Sequence, residues 1–205
     1  MIQAKDLVIV EATNQDADFG AWLMYLAFDD LSQYLFGSTE LKDIQHYFKS
    51  LWVNHNNRMS SRLSYVIRDQ DKPIALLSCY EGDLTRKLLI PSIILFLKIN
   101  PGFLIYLFKH LNYLYSLIVT PEANKDEFYI FMLAVLSEYQ DKGLGTKLLG
   151  FATQKAIERN FKKVSLLVSA KNIDAIRFYE RNGFKKAAQF TRKPYNHYKM
   201  IKEIN

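Results

Sequence analysis

Gly143 and Gly145, one residue apart, stand between an apolar run at residues 128–136 and a stretch where Leu144, Leu148, Leu149, Ala152, Ala156 and Ile157 recur at helical spacing. The apolar run is rich in β-branched and aromatic residues and bounded by Ser137-Glu138, so it reads as a strand buried on both faces. The later spacing predicts an amphipathic helix over residues 143–159. The turn between them ends in a helix N-terminus, whose first N–H groups lack intrahelical acceptors and carry the positive end of the macrodipole. Glycines at 143 and 145 let an anion approach those amides. Thr146 can add a hydroxyl, and Lys142 or Lys147 a cation. The chemistry on offer is phosphate binding, although a turn of this kind also occurs as a plain chain reversal.

Two better-known glycine motifs are excluded. No glycine-lysine pair followed by Ser or Thr has P-loop spacing. The dinucleotide fingerprint needs a small residue three places after the second glycine, where Leu148 stands, and it also needs a downstream acidic residue that is missing here. What remains is Gln140-x-x-Gly143-x-Gly145 after Leu133-Ala134-Val135. Further on, residues 164–168 form a second buried-strand run, followed by Asn172. Residues 173–182 form a short helix stopped by Gly183, and carry Ala175-Ile176-Arg177-Phe178-Tyr179 with Gly183-Phe184 behind. In this order the two segments resemble the coenzyme A loop and the A-x-x-x-Y-x-x-x-G-F segment of the GNAT acetyltransferase superfamily. The likeness is sharp over residues 128–186 and holds only in outline elsewhere.

The resemblance implies an α/β GNAT fold: a mixed, mostly antiparallel central sheet flanked by helices, here with a helical insertion before the cofactor strand. It implies an acetyl-CoA-dependent N-acetyltransferase acting on a primary amine of a small molecule or peptide. The alternative is a non-catalytic coenzyme A-binding or interaction module on the same fold. Under the resemblance, the backbone of Leu133, Ala134 and Val135 pairs with the pantetheine arm and polarises the thioester. Gln140, Asp141, Lys142, Gly143, Leu144, Gly145 and Thr146 hold the pyrophosphate, and Asn172 orients the cofactor arm. Tyr179 is the general acid. Many relatives carry a carboxylate in the cofactor strand, but Phe131 and Met132 stand there in this chain. The general base is therefore sought in Glu127, with Glu122 and Glu81 as alternatives, or is dispensable if the amine arrives neutral. Ser137 stands where many relatives have a proline, which changes turn stiffness only.

The elements that must position these residues can be read from the rest of the chain. With 205 residues, 49% of them hydrophobic, it can bury one good core, and a single domain spanning 1–205 is expected. A net charge of +6 suits a polyphosphate cofactor, and the lysines are too dispersed to indicate nucleic acid. One cysteine, Cys79, excludes an internal disulfide and a cysteine metal cluster. No metal site is expected, and the reducing cytoplasm is the natural compartment. The N-terminus has no signal-like segment.

Residues 7–12 read as a first strand, 16–35 and 41–54 as helices, and 63–69 with 74–80 as a hairpin turning at 70–73. Residues 84–119 are long, apolar and aromatic, and read as helices over 88–99 and 103–117 around Pro101-Gly102. Neither reaches the ~20 apolar residues of a membrane span. This insertion can pack on the core, wall the acceptor site, form a homodimer or lie on a membrane. Residues 185–190 and 195–204 read as the closing strand pair, turning at Lys193-Pro194. His197 lacks metal-ligand spacing and reads as a surface or packed residue.

Overall fold

A computed structural model describes residues 7–28, 31–112, 115, 120–191 and 196–204. Seven strands form one sheet in the order β1-β2-β3-β4-β5-β7-β6. They are β1 (Ile9–Glu11), β2 (Ser64–Asp69), β3 (Lys72–Glu81), β4 (Phe128–Val135), β5 (Lys163–Ser169), β6 (Lys185–Phe190) and β7 (His197–Glu203). Only β4 and β5 run parallel; every other neighbour is antiparallel. The parallel pair needs a crossover, and helix α7 (Leu144–Glu158) supplies it. The other helices are α1 (Ala17–Phe28), α2 (Leu31–Phe36), α3 (Leu41–Val53), α4 (Leu84–Lys87), α5 (Leu89–Ile99), α6 (Phe103–Lys109) and α8 (Ile173–Arg181).

Side-chain alternation along β4 assigns the two layers. Phe128 packs on Phe161 just beyond α7, while Phe131 meets Phe28 of α1 and Tyr80 of β3. Helices α1 and α7 therefore lie on opposite faces, with the buried core continuing on both. Between Ser78↔Met132 and Cys79↔Ile130 the register skips one residue, which leaves Phe131 as the extra residue of a bulge in β4. A bulge bends its strand and sharpens its twist, and this one lies where β4 must turn away from β5.

Three elements differ from those the sequence predicts. The helix expected over 16–35 is a 3₁₀ turn at Asn14–Asp16 followed by α1 and α2. Asp16 is buried there and binds Arg68 of β2 at 2.6 Å, so it is held by the sheet. Pro73 lies inside β3 and not in the turn before it. The shift from Ile67↔Ala75 to Arg68↔Pro73 absorbs the missing N–H. The second insertion helix expected over 103–117 is described as α6 through Lys109. Residues 113, 114 and 116–119 lie outside the described residues, as does the Lys193-Pro194 turn. Among the described residues no helix is long and apolar enough to cross a membrane.

One ion pair locks the start of β4 to β7. Glu127, 1% exposed, binds the Lys199 ammonium at 2.8 Å and accepts from the Asn124 backbone N–H and side-chain amide. Removing one member of a buried pair strands the other charge. Lys199→Met is expected to cost about 3–5 kcal/mol in urea unfolding, and Glu127→Met/Lys199→Met together to recover much of that loss. The double variant should also lose part of the acid sensitivity. Burial pushes the Glu127 pKa up, but Lys199, the Asn124 N–H and Ser165 together hold it below the ordinary carboxylate value. The stability it confers is thus full above that ordinary value and is lost as pH falls through the lower folded one.

Candidate active site

Strands β4 and β5 pair only over Phe128↔Val164 to Ile130↔Leu166. Beyond that point β4 continues to Val135 bonded to β3 alone, and β5 continues to Ser169 bonded to β7 alone. The inner edges of residues 131–135 and 167–169 thus border an open wedge in the sheet. Leu133, Ala134 and Val135 lie along one side of it. The Val135 carbonyl accepts from the Gln140 side-chain amide at 3.1 Å, tying the turn after β4 to the strand end.

That turn leads into α7. Asp141 and Gly143 both take left-handed backbone, with φ of 56° and 82°. Gly143 is the residue before the helix, and its carbonyl accepts the first helical bond from Lys147 at 3.0 Å. No acceptor among the described residues meets the backbone N–H groups of residues 141–146. Successive unpaired amides with left-handed turns make an anion-binding concavity. Thr146 is exposed at its rim, while Leu144 is buried and anchors the helix. The two lysines expected as cations are both in use. Lys142 donates to the Glu138 carbonyl at 2.6 Å and lies over the Tyr139 ring, and Lys147 donates to the Leu7 carbonyl.

Gly145 has a second reason to be glycine. A Cβ there would stand 2.8 Å from the tip of Phe178 on α8, so close packing of α7 on α8 requires its absence. At the start of α8, the Asn172 side chain caps the helix, accepting from Ala175 N–H at 3.0 Å, and its amide hydrogens meet no acceptor among the described residues. Tyr179, 9% exposed, packs its ring against Phe178 and Phe184. No hydrogen bond to its hydroxyl is made among the described residues, and burial pushes its pKa up to about 12. It therefore holds its proton at any working pH, which is what a general acid needs.

The carboxylates expected as bases are elsewhere engaged. Glu127 is saturated by Lys199 and Asn124 and has a lowered pKa, so its geometry gives it a structural task and it is not carried forward as a base. Glu122 pairs with buried Arg58 beneath Phe131, and Glu81 pairs with Arg159 at the far end of α7 at 3.4 Å. Cys79 is buried with its thiol pushed up to about 12 by burial, in keeping with a packing role.

The register brings up a residue that the sequence reading set aside. His197 opens β7 opposite Ser169, on the edge of β5 away from the wedge and level with its open end. It lies on the same face as Lys199 and Leu167, which is the α1 face. Burial holds its pKa below 6.5, so the imidazole is neutral at physiological pH. The usable signal was its place opposite the end of the second buried strand, not its spacing from other ligands. On the same face, a hollow of about 480 Å³ separates α1 from the end of β4, lined by Asp18, Phe19, Trp22, Leu136 and Glu138 and also by Lys72, whose ammonium lies over the Phe19 ring, while Asp18 is paired with Lys49.

A mixed sheet that parts beside a row of free amides, with a crossover helix starting at that row, defines an acyltransferase fold. The chain belongs to the acetyltransferase (GNAT) family, whose pattern matches residues 24–184. Among solved structures, an N-acetyltransferase from Staphylococcus aureus Mu50 is similar over 95% of this chain and 99% of its own, with a TM-score of 0.69 and 22% identity. The PaiA N-acetyltransferase from Thermoplasma acidophilum, solved in complex with coenzyme A, is similar over 96% and 98%, with a TM-score of 0.55 and 13% identity. In sequence, uncharacterized protein YxbD of Bacillus subtilis (strain 168) is 35% identical over 54 residues, 26% of this chain. That match spans 34% of the relative's own length.

Proposed function

We propose that the protein transfers an acetyl group from acetyl-CoA to a primary amine. The observation that carries this reading is the row of unpaired N–H groups at residues 141–146, set where β4 and β5 part. Those amides and the left-handed turns at Asp141 and Gly143 fit a pyrophosphate, and the inner edge of Leu133–Ala134–Val135 fits an extended amide-bearing arm laid along it as a further strand. The complex of the Thermoplasma acidophilum protein with coenzyme A supports the same choice. When bound, acetyl-CoA supplies an activated thioester.

The chain's own residues divide the remaining work. Amides of residues 141–146 neutralise phosphate charge. Backbone N–H groups near Val135 polarise the acyl oxygen, and Asn172 steadies the arm. His197 takes the proton from the attacking amine on the α1 face, and the Tyr179 hydroxyl gives a proton to the departing thiolate. The hollow beside α1, with Phe19, Trp22 and Leu26 in its walls, suits an acceptor that is partly apolar, and Glu138 is the lining carboxylate not taken up by Lys49 or Lys72.

Coenzyme A release by the purified protein across a panel of amines and peptides tests the reading. Turnover with aryl-alkyl amines is the expected result, and binding without turnover across the panel would favour the non-catalytic module. Thr146→Glu tests the phosphate site without disturbing the α7–α8 packing. A carboxylate in the first helical turn suits the macrodipole, so thermal stability should hold or rise slightly. It also repels pyrophosphate, and acetyl-CoA affinity measured by calorimetry should fall roughly tenfold or more. Unchanged affinity would move the phosphates elsewhere. Gly145→Glu is a poorer probe, because the Phe178 ring must shift to admit any side chain.

A further inference from the structure

The helical insertion carries a surface that the transfer reaction does not account for. Its inner side is ordinary core: Phe96, Phe103 and Leu107 are buried, and Phe96 packs on Phe36 of α2 and on Phe103. Its outer side is apolar as well. On α6, Leu104, Ile105 and Phe108 are 48%, 63% and 70% exposed, where a helix on a globular surface normally turns polar residues outward. Backbone bonds from Leu88 to Leu84 and from Ser92 to Leu88 carry helical geometry from α4 into α5. Arg86, Ile90, Ile94 and Lys98 therefore succeed one another at four-residue spacing along one stripe, with both isoleucines at least half exposed.

Charge decides what this surface fits. Residues 84–119 contain no Asp or Glu, while Arg86, Lys87, Lys98 and Lys109 are cationic. Lys87 is paired with Asp83 just outside the segment. A second copy of the same surface would bring like charges together. An anionic bilayer would accept the apolar side chains below its headgroups and meet the lysines at them, as interfacial amphipathic helices do. None of the described helices is long enough to go further than the interface.

We propose that α5 and α6 dock the protein reversibly onto anionic lipid membranes. The proposal does not depend on acetyl transfer, and its readout is free of it. The experiment is flotation with vesicles of phosphatidylcholine alone and of phosphatidylcholine with phosphatidylglycerol. The full chain should bind the anionic vesicles roughly tenfold more than the neutral ones, and high salt should release most of it. Ile105→Ser/Phe108→Ser should abolish binding at all salt concentrations, and Lys98→Glu/Lys109→Glu should remove the preference for anionic lipid. These side chains are exposed or lie at the rim, so thermal unfolding midpoints should stay close to that of the parent. Absence of binding to either vesicle, or binding that both variants retain, would overturn the proposal. So would a dimer in sedimentation that the serine variant dissolves while no vesicles are bound, which would make the occupant a second copy.

Discussion

Tyr179→Phe is expected to lower kcat by ~10²-fold, the low end for losing a general acid, while acetyl-CoA affinity changes little. The substitution removes one hydroxyl from a ring held by Phe178 and Phe184, and leaves the ring's packing in place. No hydrogen bond within the described chain is broken, so little stability is at stake. In the proposed site the cofactor's contacts come from amides of residues 141–146 and the edge of β4, none of which the change touches. A loss confined to the chemical step should therefore lower kcat and kcat/KM together. Because burial pushes the Tyr179 pKa up to about 12, the wild-type profile should show no alkaline decline from this group through pH 10. Near-normal turnover in the variant, measured where chemistry limits the rate, would leave the tyrosine as packing alone.

The parts of the site that were legible in the sequence are those made by consecutive residues. The strand, turn and helix around Gly143 are encoded by a change at the glycines from a continuous apolar run to a hydrophobic period of 3.6, and the structure keeps those bounds to within a residue or two. The short helix after Asn172 and its stop at Gly183 are local in the same way. What could not be read depends on side chains that meet from distant segments. Glu127 looked available because it precedes the cofactor strand, but Lys199, far along the chain, closes over it. Gly145 looked like a phosphate glycine only, and its contact with Phe178 appears once α7 and α8 are packed. Lys147 was free to serve as a cation until β1 brought the Leu7 carbonyl to it. The bulge at Phe131, which lets the sheet part, is a property of pairing between β3 and β4 and has no signature in either strand alone.

His197→Gln is the second substitution with a large expected effect. Glutamine keeps a polar, hydrogen-bonding side chain of similar reach at the start of β7, but it cannot take a proton. If His197 is the base, kcat/KM near neutral pH should fall by ~10²–10⁴-fold, the range for losing general acid–base assistance. The pH profile gives the sharper test. Burial depresses the imidazole pKa, so the base is neutral and competent at pH 7, and activity should decline only as pH falls below 6.5. That acid limb should vanish in the glutamine variant, leaving only the limb set by protonation of the acceptor itself. Repeating the profiles with two amines of different basicity separates the two: a limb that moves with the amine belongs to the substrate, and one that stays fixed belongs to the protein. A wild-type profile whose only limb tracks the amine, together with unimpaired turnover by the variant, would show that the acceptor reacts after losing its proton to water and that His197 has no part in it.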